Sequence, residues 1–346
     1  MERFEIARPD DWHVHLRDGA MLDRVLPYTA RRFRRAIVMP NLDPPVLTTR
    51  DAEAYAARIR ARLPADSDFE PLMTLYLSQS TTPAEIERAS RSRDVAAVKL
   101  YPKGATTNSA QGIAALDALG PVLDALERYD LPLLVHGEST APDCDVFDRE
   151  REFLERSLIP LVERHAGLRV VFEHITTAAA AGYVEGAPAR VAATITPQHL
   201  LLNRNALFQG GLRPHQYCLP VLKREEDRKA LVRAATSGSP HFFLGTDSAP
   251  HGRASKESAC GCAGVFSAPI ALEAYAEAFA RAGSLDRLEG FASHFGADFY
   301  RRPRNKERIQ LERADRPGPE AVGEGPDGLV VFLAGEPLRY RVVEPG

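Results

Sequence analysis

Six side chains stand at or beside the ends of short apolar runs in this sequence, and their types suit a metal centre. His13 and His15 close Ile6–His15, Lys99 sits near the end of Val95–Leu100, and His136 closes Leu131–His136. His174 closes Arg169–His174, and Asp247 follows Phe242–Thr246. A strand repeats every two residues, so the spacing His13-Val14-His15 places both rings on one side. Two imidazoles aimed into a low-dielectric space repel when protonated and compete for few partners when neutral. A divalent cation removes both problems. A single H-x-H pair is equally compatible with structural histidines, and Asp247 alone would be a costly buried carboxylate. Four His and one Asp at the ends of four such runs point together to a metal site.

Lys99 fits that set only under a condition. A buried ammonium beside divalent cations is repelled. One reading holds the amine neutral and lets it add CO₂, giving an anionic carbamate able to bridge two metals. The other is a lysine whose head reaches solvent or pairs with an acid such as Glu138. Residue types and spacing leave both open.

The elements that must position these groups form a repeating pattern. Eight apolar or β-branched runs, Ile6–His15, Ala36–Met39, Leu72–Leu77, Val95–Leu100, Leu131–His136, Arg169–His174, Val191–Thr196 and Phe242–Thr246, alternate with stretches of helical spacing such as Gln111–Arg128 and Arg149–His165. Runs apolar almost throughout, such as Pro132–Val135, suit strands buried on both faces of a parallel sheet. Eightfold alternation predicts an α/β fold of the closed (β/α)₈ TIM-barrel type, with the active site at the C-terminal strand ends. A doubly wound open sheet is the alternative, but no G-x-G-x-x-G follows an early strand. The barrel is expected over residues 1–300. Residues 301–346 read as a C-terminal appendage, with a hairpin formed by Leu329–Leu333 and Leu338–Val343 about Gly335-Glu336-Pro337.

Composition narrows the function classes. The 346 residues are 44% apolar and 26% charged, as in a globular protein, and carry a net charge of −3, so no global field recruits nucleic acid or an anionic membrane. No signal-peptide stretch and no membrane span is read, which makes a cytoplasmic location the expectation. Four cysteines do not make a disulfide scaffold, and Cys260-Gly261-Cys262 is expected as reduced thiols in a tight buried turn. The basic runs Arg31–Arg35 and Arg301–Lys306 read as solvated faces.

Several segments together resemble the bacterial class II dihydroorotase family of the amidohydrolase superfamily. They are Asp10–Gly19, Val38-Met39-Pro40-Asn41, Lys99–Pro102, Val135–Glu138, Phe172–Thr177, Ile195–His199, Gly245–His251 and Cys260–Gly264, in order over about residues 8–300. The resemblance implies a metal-dependent barrel and two zinc ions per chain, with cobalt or manganese acceptable to the same donors. It assigns His13, His15, Lys99 and Asp247 to one ion, and carbamylated Lys99, His136 and His174 to the other. It places the substrate's carboxylate on Arg17, Asn41, His251 and the backbone at Ala263, and the ring amide on the backbone at Leu219. It makes Thr106 and Thr107 part of a mobile lid.

The implied reaction is reversible cyclisation of N-carbamoyl-L-aspartate to L-dihydroorotate in pyrimidine biosynthesis. A hydroxide shared by the metals attacks, and Asp247 serves as general base and acid. The implied partners are these small molecules and a second copy of the chain, with neither nucleic acid nor membrane. His199 is expected to support ligands rather than bind metal, and Glu138 and Glu173 to orient the histidines beside them. His165, His215, His241 and His294 are expected to be structural or exposed. Three rivals are weighed. A hydantoinase- or allantoinase-like enzyme would not need the carboxylate cradle. An inactive dihydroorotase-like scaffold would be expected to lose ligands. A deaminase on the same barrel would not need Lys99.

Overall fold

A computed structural model describes residues 3–114 and 116–343. The chain enters through β1 (Arg3–Ala7) and then lays down β2 (Asp11–Val14), β3 (Arg35–Val38), β4 (Glu70–Tyr76) and β5 (Val95–Leu100). There follow β6 (Leu133–Val135), β7 (Val170–Phe172), β8 (Val191–Ile195) and β9 (Phe242–Leu244). From β2 to β9 every strand pairs in parallel with its sequence neighbour, in one eight-stranded sheet. Helices such as Gly19–Arg32, Thr49–Arg60, Pro83–Arg91 and Glu225–Thr236 bury one face outside the sheet, which is the α/β barrel expected.

Between β9 and β2 the barrel is joined without a regular ladder. Asp247 N–H donates to the His13 carbonyl (2.8 Å) and His15 N–H to the Ser248 carbonyl (3.0 Å). The Asp11 carboxylate completes the seam, accepting from Thr246 N–H at 2.9 Å and Thr246 Oγ1–H at 2.6 Å. A side chain thus supplies pairing that backbone supplies elsewhere.

One apolar layer fills the interior, drawing Trp12, Ile37, Leu72, Ala97, Leu134, Val171, Ala192 and Phe243 from successive strands. Beneath it an aromatic floor closes the N-terminal end. Trp12 stacks on Tyr300 with centroids 4.6 Å apart, and Phe243 and Phe299 pack against Tyr300.

The C-terminal segment differs from expectation in its pairing. It contains β10 (Arg308–Pro317), β11 (Ala321–Val322), β12 (Leu329–Val330) and β13 (Pro337–Val342). β10 lies between β1 and β13 in an antiparallel sheet, with Ile6 opposite Ile309. The run Ile6–His15 is therefore two strands in two sheets, broken around Pro9. The hairpin expected about Gly335 does not form, because β12 pairs with β11 while β13 pairs with β10. Burial explains the choice: Leu338 and Tyr340 bury in β13, while Val331 and Phe332 bury separately and Phe332 N–H bonds the Phe266 carbonyl.

Three further expectations change. Within Gln111–Arg128 only Gly120–Arg128 is α-helix, after a 3₁₀ turn at Leu116–Leu119. Ile113 instead runs back beside β5, donating N–H to the Tyr101 carbonyl at 2.8 Å. Gly112 permits this approach, since a Cβ there would lie 2.5 Å from that carbonyl oxygen. In the first basic run, Arg35 is buried and grips Asp10 with two hydrogen bonds (2.9 and 2.7 Å), and Arg32 is buried beside Glu273. All four cysteines are free, but Cys260 is exposed and Cys262 only half-buried. Among the described residues, no helix is long and apolar enough to cross a membrane.

The aromatic floor yields the first prediction. A Cβ on Gly296 would sit 2.0 Å from Trp12 Nε1, and the fully packed indole cannot move aside. Gly296→Ala should lower stability by about 1–3 kcal/mol, read from the denaturant midpoint. An unchanged midpoint would show that the floor has slack.

Candidate active site

The interior layer determines where the chemistry falls. Two residues beyond Ala97, Leu134, Val171 and Ala192, on the same inward-facing side, come Lys99, His136, Glu173 and Thr194. One apolar level is thus roofed by one polar level, at the C-terminal strand ends where barrels place their sites. β2 reaches this level by another route. Trp12 joins the floor and yet His13 also faces inward, which strict alternation forbids. The register break between Asp11 and Val14, where Trp12 and His13 stand opposite the single residue Ile37, supplies the extra turn. Gly245 makes room for it, since a Cβ there would lie 3.0 Å from the His13 Cβ.

The imidazoles form an arc. Ring centroids are 5.5 Å apart for His15 and His13, 5.0 Å for His13 and His174, and 4.8 Å for His174 and His136. Asp247 Oδ1 lies 3.1 Å from His15 Nε2 and 3.5 Å from His13 Nε2. Ligand atoms of His13, His15 and Asp247 all fall within 4.8 Å of one another, as a metal-holding group requires. Two glutamates anchor ring nitrogens: Glu138 holds its neighbour His136 as expected, but Glu173 reaches across the barrel to His13 instead of its neighbour His174. Glu173 Oε2 meets His13 Nδ1 at 2.8 Å, and Glu138 Oε2 meets His136 Nε2 at 2.7 Å. Such contacts fix the tautomer and leave the other ring nitrogen free for a ligand.

Burial fits these groups to a metal. It pushes His13 below its ordinary pKa, and His15 and His174 well below, so the rings stay neutral as ligands must. It pushes the Asp247 carboxyl above its ordinary range against the pull of His13 and Lys99. The Lys99 amine is 0% exposed, is pushed down to about 8 by burial, and its Nζ has no hydrogen-bond partner. His174 Nδ1 is likewise buried without a partner. Orphaned polar atoms of this kind in a ring of donors fit divalent cations and a modified lysine.

Above this level lies a narrow cleft lined by the four histidines, Arg17, Asn41, Tyr101, Thr106, Thr107, Leu219, Asp247, Ala249, Ala263 and Gly264. His251 stands behind Arg17, its Nε2 3.0 Å from Arg17 Nη2. Burial and Arg17 push His251 down to about 3, so the ring is neutral. Its Nε2 stands 3.0 Å from both the Arg17 guanidinium and the Ala263 carbonyl, able to accept from the first or donate to the second but not both at once. The loop bearing Thr106 and Thr107 lies across the mouth. Asn41 Nδ2 donates to the Thr107 carbonyl and Asn108 Nδ2 to the Asn41 carbonyl, each at 3.0 Å. Arg17, Asn108, His174 and Asp247 all have φ between 42° and 58°. Such left-handed residues cost of order 1–3 kcal/mol each and gather at functional sites.

His199 supports the rim rather than facing the cleft. Its Nδ1 meets Thr196 Oγ1 at 2.7 Å and its Nε2 the Pro220 carbonyl at 3.1 Å. His165 and His215 lie beside surface carboxylates, and His241 Nδ1 bonds the Val191 carbonyl.

The Amidohydrolase family matches residues 10–311. The dihydroorotase of Alkalilimnicola ehrlichii is 61% identical over 343 residues, covering 99% of this chain and 100% of that protein. Among solved structures, the dihydroorotase of Campylobacter jejuni superposes with a TM-score of 0.89 at 35% identity, covering 98% of this chain and 97% of that one. The Saccharomyces cerevisiae dihydroorotase in complex with 5-fluoroorotic acid gives 0.91 at 33% identity, covering all of both chains. The chain belongs to the dihydroorotase family of amidohydrolases.

Two supports of this dihydroorotase-family site escape a reading of motifs. Asp11, at the seam, ties the His13 strand to the Thr246-Asp247 turn. Glu150 is fully buried, and its carboxylate takes four donors, the N–H and Oγ1–H groups of Thr176 and Thr177, just past His174. The only sequence signal for Glu150 is an acid at an inward position of Arg149–His165. The anchoring of His13 gives the second prediction. Glu173→Gln should weaken metal binding about 10–100-fold, measured by metal titration of the apoprotein. An unchanged affinity would remove Glu173 from the site's support.

Proposed function

We propose that the chain interconverts L-dihydroorotate and N-carbamoyl-L-aspartate, as a hydrolase acting on a cyclic amide. One observation carries the reading: a metal-holding group and an arginine suited to a carboxylate share one cleft. Two zinc ions are proposed, the first on His13, His15, Asp247 and carbamylated Lys99, the second on the same carbamate, His136 and His174. Cobalt and manganese suit the same donors. When bound, such a pair supplies polarisation of a carbonyl and activation of water near neutral pH.

The chain's own residues do the rest. Arg17 presents a planar fork to the substrate carboxylate, and Asn41 retains one amide hydrogen beyond that given to Thr107. His251 orders the guanidinium, while the backbone at Ala263 and Leu219 takes the carboxylate and the ring amide. Asp247 takes the proton of the attacking water as the new C–O bond forms, then delivers it to the ring nitrogen as the C–N bond breaks. In the biosynthetic direction the same transfers run backwards. The loop held by Asn41 and Asn108 shuts water out while Thr106 and Thr107 face the substrate. The family resemblance extends the proposal to a cytoplasmic homodimer, which light scattering on purified protein checks.

Loss of the ultraviolet absorbance of L-dihydroorotate tests the activity, and elemental analysis should find close to two divalent ions per chain. Lys99→Ala should abolish turnover and at least one ion, and short carboxylic acids should restore part of both. Full activity in that variant would refute the bridging role. Arg17→Ala should raise KM about 10–100-fold, whereas Thr106→Ala with Thr107→Ala should lower kcat at least about tenfold with little change in KM. Parent kinetics in either variant would remove that group from its role.

A further inference from the structure

A second buried lysine lies outside the metal level. Lys256 ends the helical turn Arg253–Lys256 and is 2% exposed. Its Nζ donates to the backbone carbonyls of Tyr217, Cys262 and Gly264, each at 2.8 Å. Three ammonium donors meet three acceptors, and among the described residues no carboxylate pairs with it. An Arg fork is planar and cannot converge on three carbonyls as a compact ammonium does.

These carbonyls belong to two segments remote in sequence. Tyr217 stands two residues before Leu219, while Cys262 and Gly264 flank Ala263, and both Leu219 and Ala263 line the cleft. Gly264 N–H also donates to the Tyr217 carbonyl at 3.0 Å. Gly264 has φ +150°, and a Cβ there would lie 2.3 Å from the Ala249 carbonyl oxygen, so this side of the cleft wall has no slack. Without the ammonium, three carbonyls aimed at one point would face each other with a single shared N–H.

We propose that Lys256 is a positioning residue for substrate recognition. Its ammonium clamps the backbone segments of Leu219 and Ala263 into one rigid wall of the cleft, without touching the substrate itself. The proposal rests on the cleft being the dihydroorotate site argued above. Because the clamp acts on the ground-state fit of the ring and carboxylate, its loss reads out in KM rather than in kcat.

The test compares metal-loaded parent, Lys256→Met, which removes all donors, and Lys256→Gln, which keeps two. KM for L-dihydroorotate should rise about tenfold or more in Lys256→Met and less in Lys256→Gln, with kcat within about threefold and metal content unchanged. In the ligand-free proteins, amide hydrogen exchange at Cys218–Leu219 and Ala263–Gly264 should quicken, while that of the barrel strands stays at parent rates. If Lys256→Met does not fold, Lys256→Gln alone decides by the same two readouts. Unchanged KM with unchanged local exchange overturns the proposal, as does a fall in kcat at parental KM. A parent chain that leaves L-dihydroorotate intact defeats the functional reading instead, and exchange alone then decides on the clamp.

Discussion

A buried ammonium without a partner is the constraint on which this molecule turns. Lys99 is fully buried at the level of the histidines, its Nζ 5.2 Å from the Tyr101 ring, with Glu173 and Asp247 the carboxylates that act on it, and no group accepts its hydrogens. An unpaired buried charge is among the most expensive features a fold can carry. Burial lowers the amine's proton affinity and keeps His13, His15 and His174 neutral, which also prepares these groups for a metal. The barrel is what makes such crowding tolerable: one apolar level beneath and tight strands around hold groups together that would otherwise separate.

The same packing holds strained backbone at the rim. Arg17, His174 and Asp247 leave their strands in left-handed conformations, which turn side chains from the strand direction into the cleft. Each is braced nearby. Tyr55 Oη–H bonds the Arg17 carbonyl, Thr194 Oγ1 accepts from His174 N–H at 2.7 Å, and Asp247 N–H is held by the His13 carbonyl. The seam between β9 and β2 thus brings His13, His15 and Asp247 to one point, and the Asp11 carboxylate stiffens the junction.

Much of this was legible in the residues. Apolar runs interrupted by helical spacing located the eight barrel strands, and Lys99, His136 and Glu173 fall two residues beyond Ala97, Leu134 and Val171, as strand periodicity demands. The placement of His13 was legible for an incomplete reason. The pair shares a side as its spacing requires, but it faces inward only through a bulge, which leaves no mark in the sequence. Pairing over three hundred residues was not readable either: nothing local in Ile6 announces Ile309, and burial of Leu338 against a distant element decides the C-terminal pairing. Glu150 and Lys256 were hidden for a related reason. Each satisfies groups from segments remote in sequence that only the finished fold brings to it, and the sequence names no such partners.

The central claim, that the Lys99 amine is converted to a carbamate, is tested most directly by carbon-13 NMR of apoprotein reconstituted with divalent metal and ¹³C-bicarbonate. The account predicts one carbamate resonance per chain in the parent, absent from Lys99→Ala. A parent that binds its metals and turns over substrate while showing no such resonance would contradict it.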